Sequence, residues 1–209
     1  AEVPDVLIQN VPISRVTHCK YLGVLIDEHL DWVKHIEYLG KKIAKDIYLL
    51  KRIRPYVTKQ TALTFYTSII QSRFDYCSII WGNAGKGCLD KLQKLQNRSL
   101  RIVLQVDWYF PSNNLFDILK IDNLSDRRNK QTLHMMYKIA YDMIPGEFLK
   151  YFVPKEFYYG LRNAHKCFEL SKPRTNFKKR SFSYRGIKDW NQLPRNLKDM
   201  SFTSFKLNI

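Results

Sequence analysis

Residues 31–55 read DWVKHIEYLGKKIAKDIYLLKRIRP, and this stretch decides the fold. Trp32, Ile36, Leu39, Ile43, Ile47 and Leu50 recur every three or four residues, the apolar stripe of an amphipathic helix. Asp31 stands where a helix cap belongs, and Pro55 is where the helix must stop. The face opposite the stripe carries Lys34, Lys41, Lys42, Lys45 and Lys51. One apolar face of this length needs partners to cover it.

The residues on the C-terminal side supply them. A second helix is predicted from the cap Thr58 through Leu63, Tyr66, Ile69 and Ile70 toward Phe74 and Ile80, ending before Trp81-Gly82-Asn83. Gly85 and Gly87 mark the next loop. A third helix runs from about Leu89 to Val103, with Leu92, Leu95, Ser99 and Ile102 as its packing stripe. After a loop at 107–114 come a short helix around Leu115 to Leu119 and a longer one capped by Ser125. The longer one carries Leu133, Met136, Tyr137, Ala140 and Tyr141 as core. Toward the N-terminus, Val6-Leu7-Ile8, Val11-Pro12-Ile13 and Tyr21 to Ile26 are short β-branched runs between turn residues, suited to a small antiparallel sheet. A sheet that small needs another element over one face, and leaves an edge open to pairing. Beyond Pro154 regular periodicity fades. The fold expected is mainly α: a small N-terminal antiparallel β element, a helical bundle, and a basic, partly irregular C-terminal region.

The 209 residues can bury one good core or two small ones. Hydrophobic residues at 45% and aromatics at 14% exclude the disordered class. Lys plus Arg number 35 against 19 Asp plus Glu, a net charge of +16 that repels itself in isolation. A polyanion relieves that repulsion, and nucleic acid does so with release of condensed counterions; an inert basic surface is the plain alternative. A membrane partner is not expected, because no apolar run approaches the roughly 20 residues that span a bilayer. No signal peptide is visible, and the absence of an initiator Met suggests a start inside a longer polypeptide. Cys19, Cys77, Cys88 and Cys167 follow no framework spacing and read as reduced intracellular thiols. His18-Cys19 and His165-x-Cys167 do not make a zinc knuckle.

The charge is concentrated in places. On the third helix Lys91, Lys94, Arg98 and Arg101 fall at spacings of three, four and three, with only Asp90 beside them. Like charges stacked at helical spacing are destabilising unless something anionic offsets them. This is either a solvated face or a ridge that tracks phosphates. Lys41, Lys42 and Lys45 form a second such ridge. Between Glu169 and Asp189 there is no acid, but there are seven bases: Lys172, Arg174, Lys178, Lys179, Arg180, Arg185 and Lys188. Phe177, Phe182 and Tyr184 are interleaved with them, a composition used on single-stranded or splayed nucleic acid. The alternative is a basic tail whose aromatics dock on the helices. Trp190-Asn191-Gln192-Leu193-Pro194 closes this segment as an anchor.

No catalytic set is found. Nucleotidyl transfer needs at least two carboxylates holding paired metal ions, and there is no Asp-Asp pair; Asp27-Glu28 is the only adjacent acid pair and reads as a turn. No acid is followed at the second position by Lys, and no phosphate-binding Gly loop, nucleophile elbow or His-Glu-x-x-His occurs. No cofactor is expected in this chain.

Three stretches together resemble one family. Lys20-Tyr21-Leu22-Gly23-Val24-x-Ile26-Asp27 with Leu30-x-Trp32-x-x-His35-Ile36 is similar to the end of the reverse-transcriptase palm in non-LTR retrotransposons of the LINE type, jockey-like. Tyr66-x-Ser68-Ile69-Ile70, Phe74-Asp75-Tyr76-Cys77, Trp81-Gly82 and Leu92-Gln93-x-x-Gln96-Asn97-Arg98 resemble the helical thumb. Pro173-Arg174-Thr175, Ser181 to Tyr184 with Gly186, Trp190-Asn191-x-Leu193-Pro194 and Ser204-Phe205-Lys206 resemble the tail of the same reading frames. The resemblance divides the chain into the end of a palm-like β element (1–29), a thumb-like bundle (30–104) and a C-terminal helical region with a basic, aromatic tail (105–209).

It implies an RNA-directed DNA polymerase that copies element RNA at a nicked chromosomal target, hence nuclear at its site of action. The family's metal-binding Asp pair, and with it Mg²⁺, is expected upstream of Ala1, as is an endonuclease. Partners implied are RNA, DNA or an RNA–DNA hybrid, and the upstream palm. Unlike some relatives, the sequence has no C-terminal zinc knuckle. A domesticated helical module meeting a protein partner through aromatics such as Tyr158 and Tyr159 is the second reading, and a remnant without function the third.

Overall fold

A computed structural model describes residues 6–155 and 166–209; Tyr158, Tyr159 and His165 lie outside them. Two small hairpins come first, β1 (Leu7–Ile8) with β2 (Val11–Pro12) and β3 (His18–Tyr21) with β4 (Val24–Asp27), both antiparallel. Each turns through two residues with positive φ, Gln9 and Asn10 in the first and Leu22 and Gly23 in the second. That backbone twist matches the twist of paired strands. Only β4 is covered: Val24 and Asp27 are buried against the helices, while Leu7, Ile8 and Val11 of the first hairpin stay exposed.

Helix α1 (Val33–Ile53) buries Ile36, Leu39, Ile43, Ile47 and Leu50, as its stripe predicts, and ends two residues before Pro55. Its start is held by Asp27. That carboxylate accepts backbone N–H bonds from His29 (3.0 Å), Asp31 (3.1 Å) and Trp32 (3.0 Å), while Asp31 accepts only from Val33 (2.8 Å). Leu30 and Trp32 both have positive φ in this turn, a conformation that persists only where the surroundings fix it. Burial pushes the Asp27 carboxyl up, but the Asp31, Trp32 and His29 amides together outweigh it and hold its pKa below the ordinary value. One turn on, the buried His35 accepts the Leu25 N–H at Nδ1 (3.2 Å), tying α1 to β4.

The second helix begins at Thr58 as read, its hydroxyl accepting from Thr61, but it is not continuous. Helix α2 (Lys59–Phe65) widens into a π-helical stretch at Tyr66–Gln71, followed by α3 (Ser72–Asp75), and Cys77 at φ 52 breaks the run before α4 (Ser78–Trp81). Each residue of Phe74-Asp75-Tyr76-Cys77 has its own task. Phe74 is core, Asp75 takes both ends of the Arg127 guanidinium (2.6 and 2.7 Å), and Tyr76 donates to the Leu22 carbonyl (2.6 Å). Trp81, read as lying past the helix, is its last residue and fully buried.

Helix α5 (Lys86–Leu104) lies against α1; a Cβ on Gly40 would stand 3.8 Å from Leu95. Its fully buried line is Leu92, Gln96, Ser99, Leu100 and Val103, while Leu95 and Ile102 of the sequence stripe are only half-buried at its margin. Gln96 donates to the Tyr66 hydroxyl and the Asp122 carbonyl (both 3.1 Å) and accepts from Gln93 (2.7 Å). Gln93 in turn accepts the Leu124 N–H (3.0 Å), and Asn97 reaches Ser112 (3.1 Å). These amides join α5 to α6 (Ser112–Leu119) and α7 (Leu124–Ala140), the latter capped by Asn123 and not by Ser125.

Leu115, Leu119 and Leu124 belong to the same core as α1 and α5. A second core gathers Met136, Tyr137, Phe152, Phe168, Ile187, Trp190 and Phe205. It is built from the end of α7, α8 (Gly146–Leu149), α10 (Phe182–Gln192), α11 (Arg195–Lys198) and α12 (Phe202–Asn208), while α9 (Asn176–Arg180) precedes α10 and buries none of its residues. Trp190 donates to the Lys166 carbonyl (2.7 Å), and Asn191 bonds both the N–H and the C=O of Phe168. The fold is mainly α as expected, and the C-terminal region is more regular than its periodicity suggests, because its helices are too short for a stripe to repeat.

Burial lowers the pKa of His35. Its unfolded form therefore binds a proton more readily, so the contribution is complete above about pH 6.5 and is lost as pH falls below it. Thermal melts between pH 7.5 and 5 should show falling stability, with a flatter dependence in His35→Gln; equal slopes would remove His35 as a contributor.

Candidate nucleic-acid interface

Burial of one face of α1 and of α5 forces their cations outward. Lys41, Lys42 and Lys45 are exposed on α1, and Lys91, Lys94 and Arg98 on α5. None of the six makes an ion pair among the described residues, whose salt bridges lie elsewhere, such as Arg73–Asp46 and Arg127–Asp75. Lys42 and Lys20 stand over the Tyr38 ring at 4.5 and 5.3 Å and hold that phenol below its ordinary pKa, chiefly through hydrogen bonds.

The two helices also share a cleft of about 520 Å³, lined by Tyr48, Lys51, Arg52, Tyr56 and Arg98. Tyr56 is 89% exposed there. Cations beside an open ring face suit a sugar–phosphate backbone with an unstacked base. Tyr48, Arg52 and Tyr56 escape a sequence reading because they lie on separate turns, and only the packing of α1 on α5 brings them to Arg98.

Arg101 differs from its three neighbours. Its guanidinium donates twice to the Phe110 carbonyl (3.2 and 2.9 Å) and once to Ser112 (3.1 Å). It therefore fixes the loop after α5, whose Trp108 is 84% exposed and meets Tyr109 edge-on. The fourth cation of the ridge holds an aromatic loop in place.

The basic tail is split. Lys172, Arg174, Lys179 and Arg180 are exposed, whereas Lys178 is half-buried and donates to Ser183 (3.2 Å). Arg185 turns inward to the Gly82 carbonyl (3.3 Å) and, with Arg180, lines a pocket that also holds Lys86 and Arg128. Of the interleaved aromatics Phe177 is exposed, Tyr184 is half-buried, and Phe182 docks edge-on to Phe152 at 5.9 Å. Arg128 was hidden in the sequence within a helix read as core.

Among the described residues no three His, Cys, Asp or Glu side chains converge as a metal site, and no helix is long and apolar enough to cross a membrane.

Comparison with known proteins gives the resemblance a footing. The chain is 32% identical over 133 residues to the probable RNA-directed DNA polymerase from transposon X-element of Drosophila melanogaster. It is 27% identical over 130 residues to the RNA-directed DNA polymerase from mobile element jockey of Drosophila funebris, and 28% over 128 residues to that of Drosophila melanogaster. Its relatives are polymerases of non-LTR retrotransposons. The matches cover 62%, 60% and 59% of this chain, but only 14% of each relative. No protein-family model and no solved structure matches the chain.

The two roles on the α5 ridge separate by mutation. Arg101→Ala should lower stability in denaturant melts by about 1–3 kcal/mol through the unpaired carbonyl, while Lys91→Ala and Lys94→Ala should each stay within about 0.5 kcal/mol. Equal, small losses at all three positions would return Arg101 to the free ridge.

Proposed function

We propose that this stretch grips nucleic acid within an RNA-directed DNA polymerase of a non-LTR element, holding template and primer through phosphates and contributing no reaction centre. The observation that carries the reading is the pair of cationic faces on α1 and α5, whose exposed Lys and Arg residues have no acidic partner among the described residues. Unpaired cations at helical spacing repel one another, and a duplex backbone laid along them removes that repulsion while releasing counterions. Such contacts position without reading sequence. The similarity to polymerases of mobile elements supports the choice of ligand.

The same reading assigns Mg²⁺ and the catalytic carboxylates to an upstream palm. That palm would cover the apolar first hairpin, where Leu7, Ile8 and Val11 are exposed, and the work would be done in the nucleus. The tail cations Lys172, Arg174 and Lys179 would hold a single strand beside the duplex. The exposed hairpin also favours a second reading, a helical module that meets a protein partner. The two differ in salt dependence, because an apolar protein contact releases no condensed counterions.

Binding of an RNA–DNA hybrid should weaken steeply between about 50 and 200 mM salt. The triple variant Lys91→Ala/Lys94→Ala/Arg98→Ala should lower the log–log slope by about one for each phosphate that is no longer neutralised. An unchanged slope would overturn the assignment to α5, and binding indifferent to salt would favour the protein partner.

A further inference from the structure

The pocket between the bundle and the C-terminal helices carries a second inference, independent of the α1–α5 grip. It measures about 570 Å³ and its walls include the Gly82-Asn83 turn, Lys86 and Asp90 of α5, Arg128 of α7, Arg180 at the end of α9 and Arg185 of α10. We infer that it is a phosphate-ester site, taking one nucleotide unit through Arg128, Arg185 and Arg180.

Arg128 is the deciding residue. A Cβ on Gly82 would collide with the Ser78 carbonyl oxygen and stand 2.8 Å from Arg128 Cδ, so glycine at that position leaves room for the arginine stem to lie across the turn. That guanidinium is half-buried, yet it makes no hydrogen bond or ion pair with any described residue. Arg185 reaches the same turn from the other side through the Gly82 carbonyl. Burial lowers the pKa of Arg128, Arg185 lowers it further, and Asp90 only partly opposes them. A half-buried guanidinium without a partner, beside a second one, is an unfavourable arrangement for an empty surface.

Four cations face one exposed Asp90 here, and a phosphate carrying one or two negative charges and several acceptor oxygens meets that excess. Asn83 Oδ1, in the same wall, is buried without a hydrogen-bond partner. A sugar hydroxyl or a base amine of a nucleotide would supply the donor it lacks. The volume lies in the range of small-ligand pockets and accommodates one nucleotide. A ligand seated there would bridge α5, α7 and α10 and so clamp the C-terminal helices onto the bundle.

The test uses the full 209-residue chain with inorganic phosphate, adenosine monophosphate and a short single-stranded RNA as probes, read by calorimetry and by melting temperature. Chloride at matched ionic strength is the control. Adenosine monophosphate or the RNA should raise the melting temperature above the chloride control and bind at least tenfold more tightly than inorganic phosphate. Response to the mononucleotide identifies a free nucleotide as a sufficient ligand; response to the RNA alone identifies a strand. Arg128→Gln and, separately, Arg185→Gln should weaken either ligand at least tenfold, and Arg128→Gln should melt no lower than the unaltered chain without ligand, because it relieves repulsion and breaks no hydrogen bond. The triple variant of α5 should keep its affinity for the mononucleotide, separating this site from the duplex grip. No stabilisation beyond chloride by either probe, or unaltered affinity in both arginine variants, would overturn the inference.

Discussion

Gln96 has no exposed surface, and its amide ties α5 to the π-helical stretch at Tyr66 and to the turn that leads into α7. A buried amide without partners is strongly destabilising, and a satisfied one specifies a unique arrangement. Here it is satisfied from three directions: the Tyr66 hydroxyl, the Asp122 carbonyl before α7 and the Gln93 amide one turn back. Burial raises the Tyr66 pKa to about 12, so the phenol stays neutral and available as the acceptor. This network fixes the rotation of α5 about its own axis. With Gln96 inward, Lys91, Lys94 and Arg98 can only face out, alongside the outer lysines of α1. The cationic surface is therefore a consequence of a polar core, and both follow from Leu92-Gln93-x-x-Gln96-Asn97-Arg98.

The same logic explains what the amino-acid pattern made legible. The α1 stripe, the Thr58 cap and the stop at Pro55 are local signals with one physical meaning each, and the structure follows them. The break at Cys77 is different: it sits beside Tyr76, which reaches back to Leu22, 54 residues earlier, a contact that no local pattern carries. Asp27, read as part of a turn, holds the start of α1 because the chain folds back over its carboxylate. Gln96 was missed as core because a polar residue on a helix reads as exposed until its partners are known.

For the candidate site, the sequence located charge but not its use. Six of the ridge cations make no ion pair among the described residues, while Arg101 is taken up by the Phe110 carbonyl and fixes the loop bearing Trp108. The tail divides likewise, Lys172 and Arg174 standing in solvent and Arg185 turned into a pocket. Spacing along a helix cannot foresee a carbonyl arriving from the next loop, nor an arginine of α7 placed opposite one of α10.

Two cores are joined by α7, with a basic surface over the first and a basic pocket at their junction, and on the proposed reading these would hold a strand or duplex. The chain's resemblance to part of the mobile-element polymerases points the same way. Lysine acetylation of the chain with and without an RNA–DNA hybrid, read residue by residue, tests this most directly. The account predicts protection of Lys41, Lys42, Lys45, Lys91 and Lys94 while Lys120 and Lys206 remain reactive. Uniform protection, or none on α1 and α5, would contradict it.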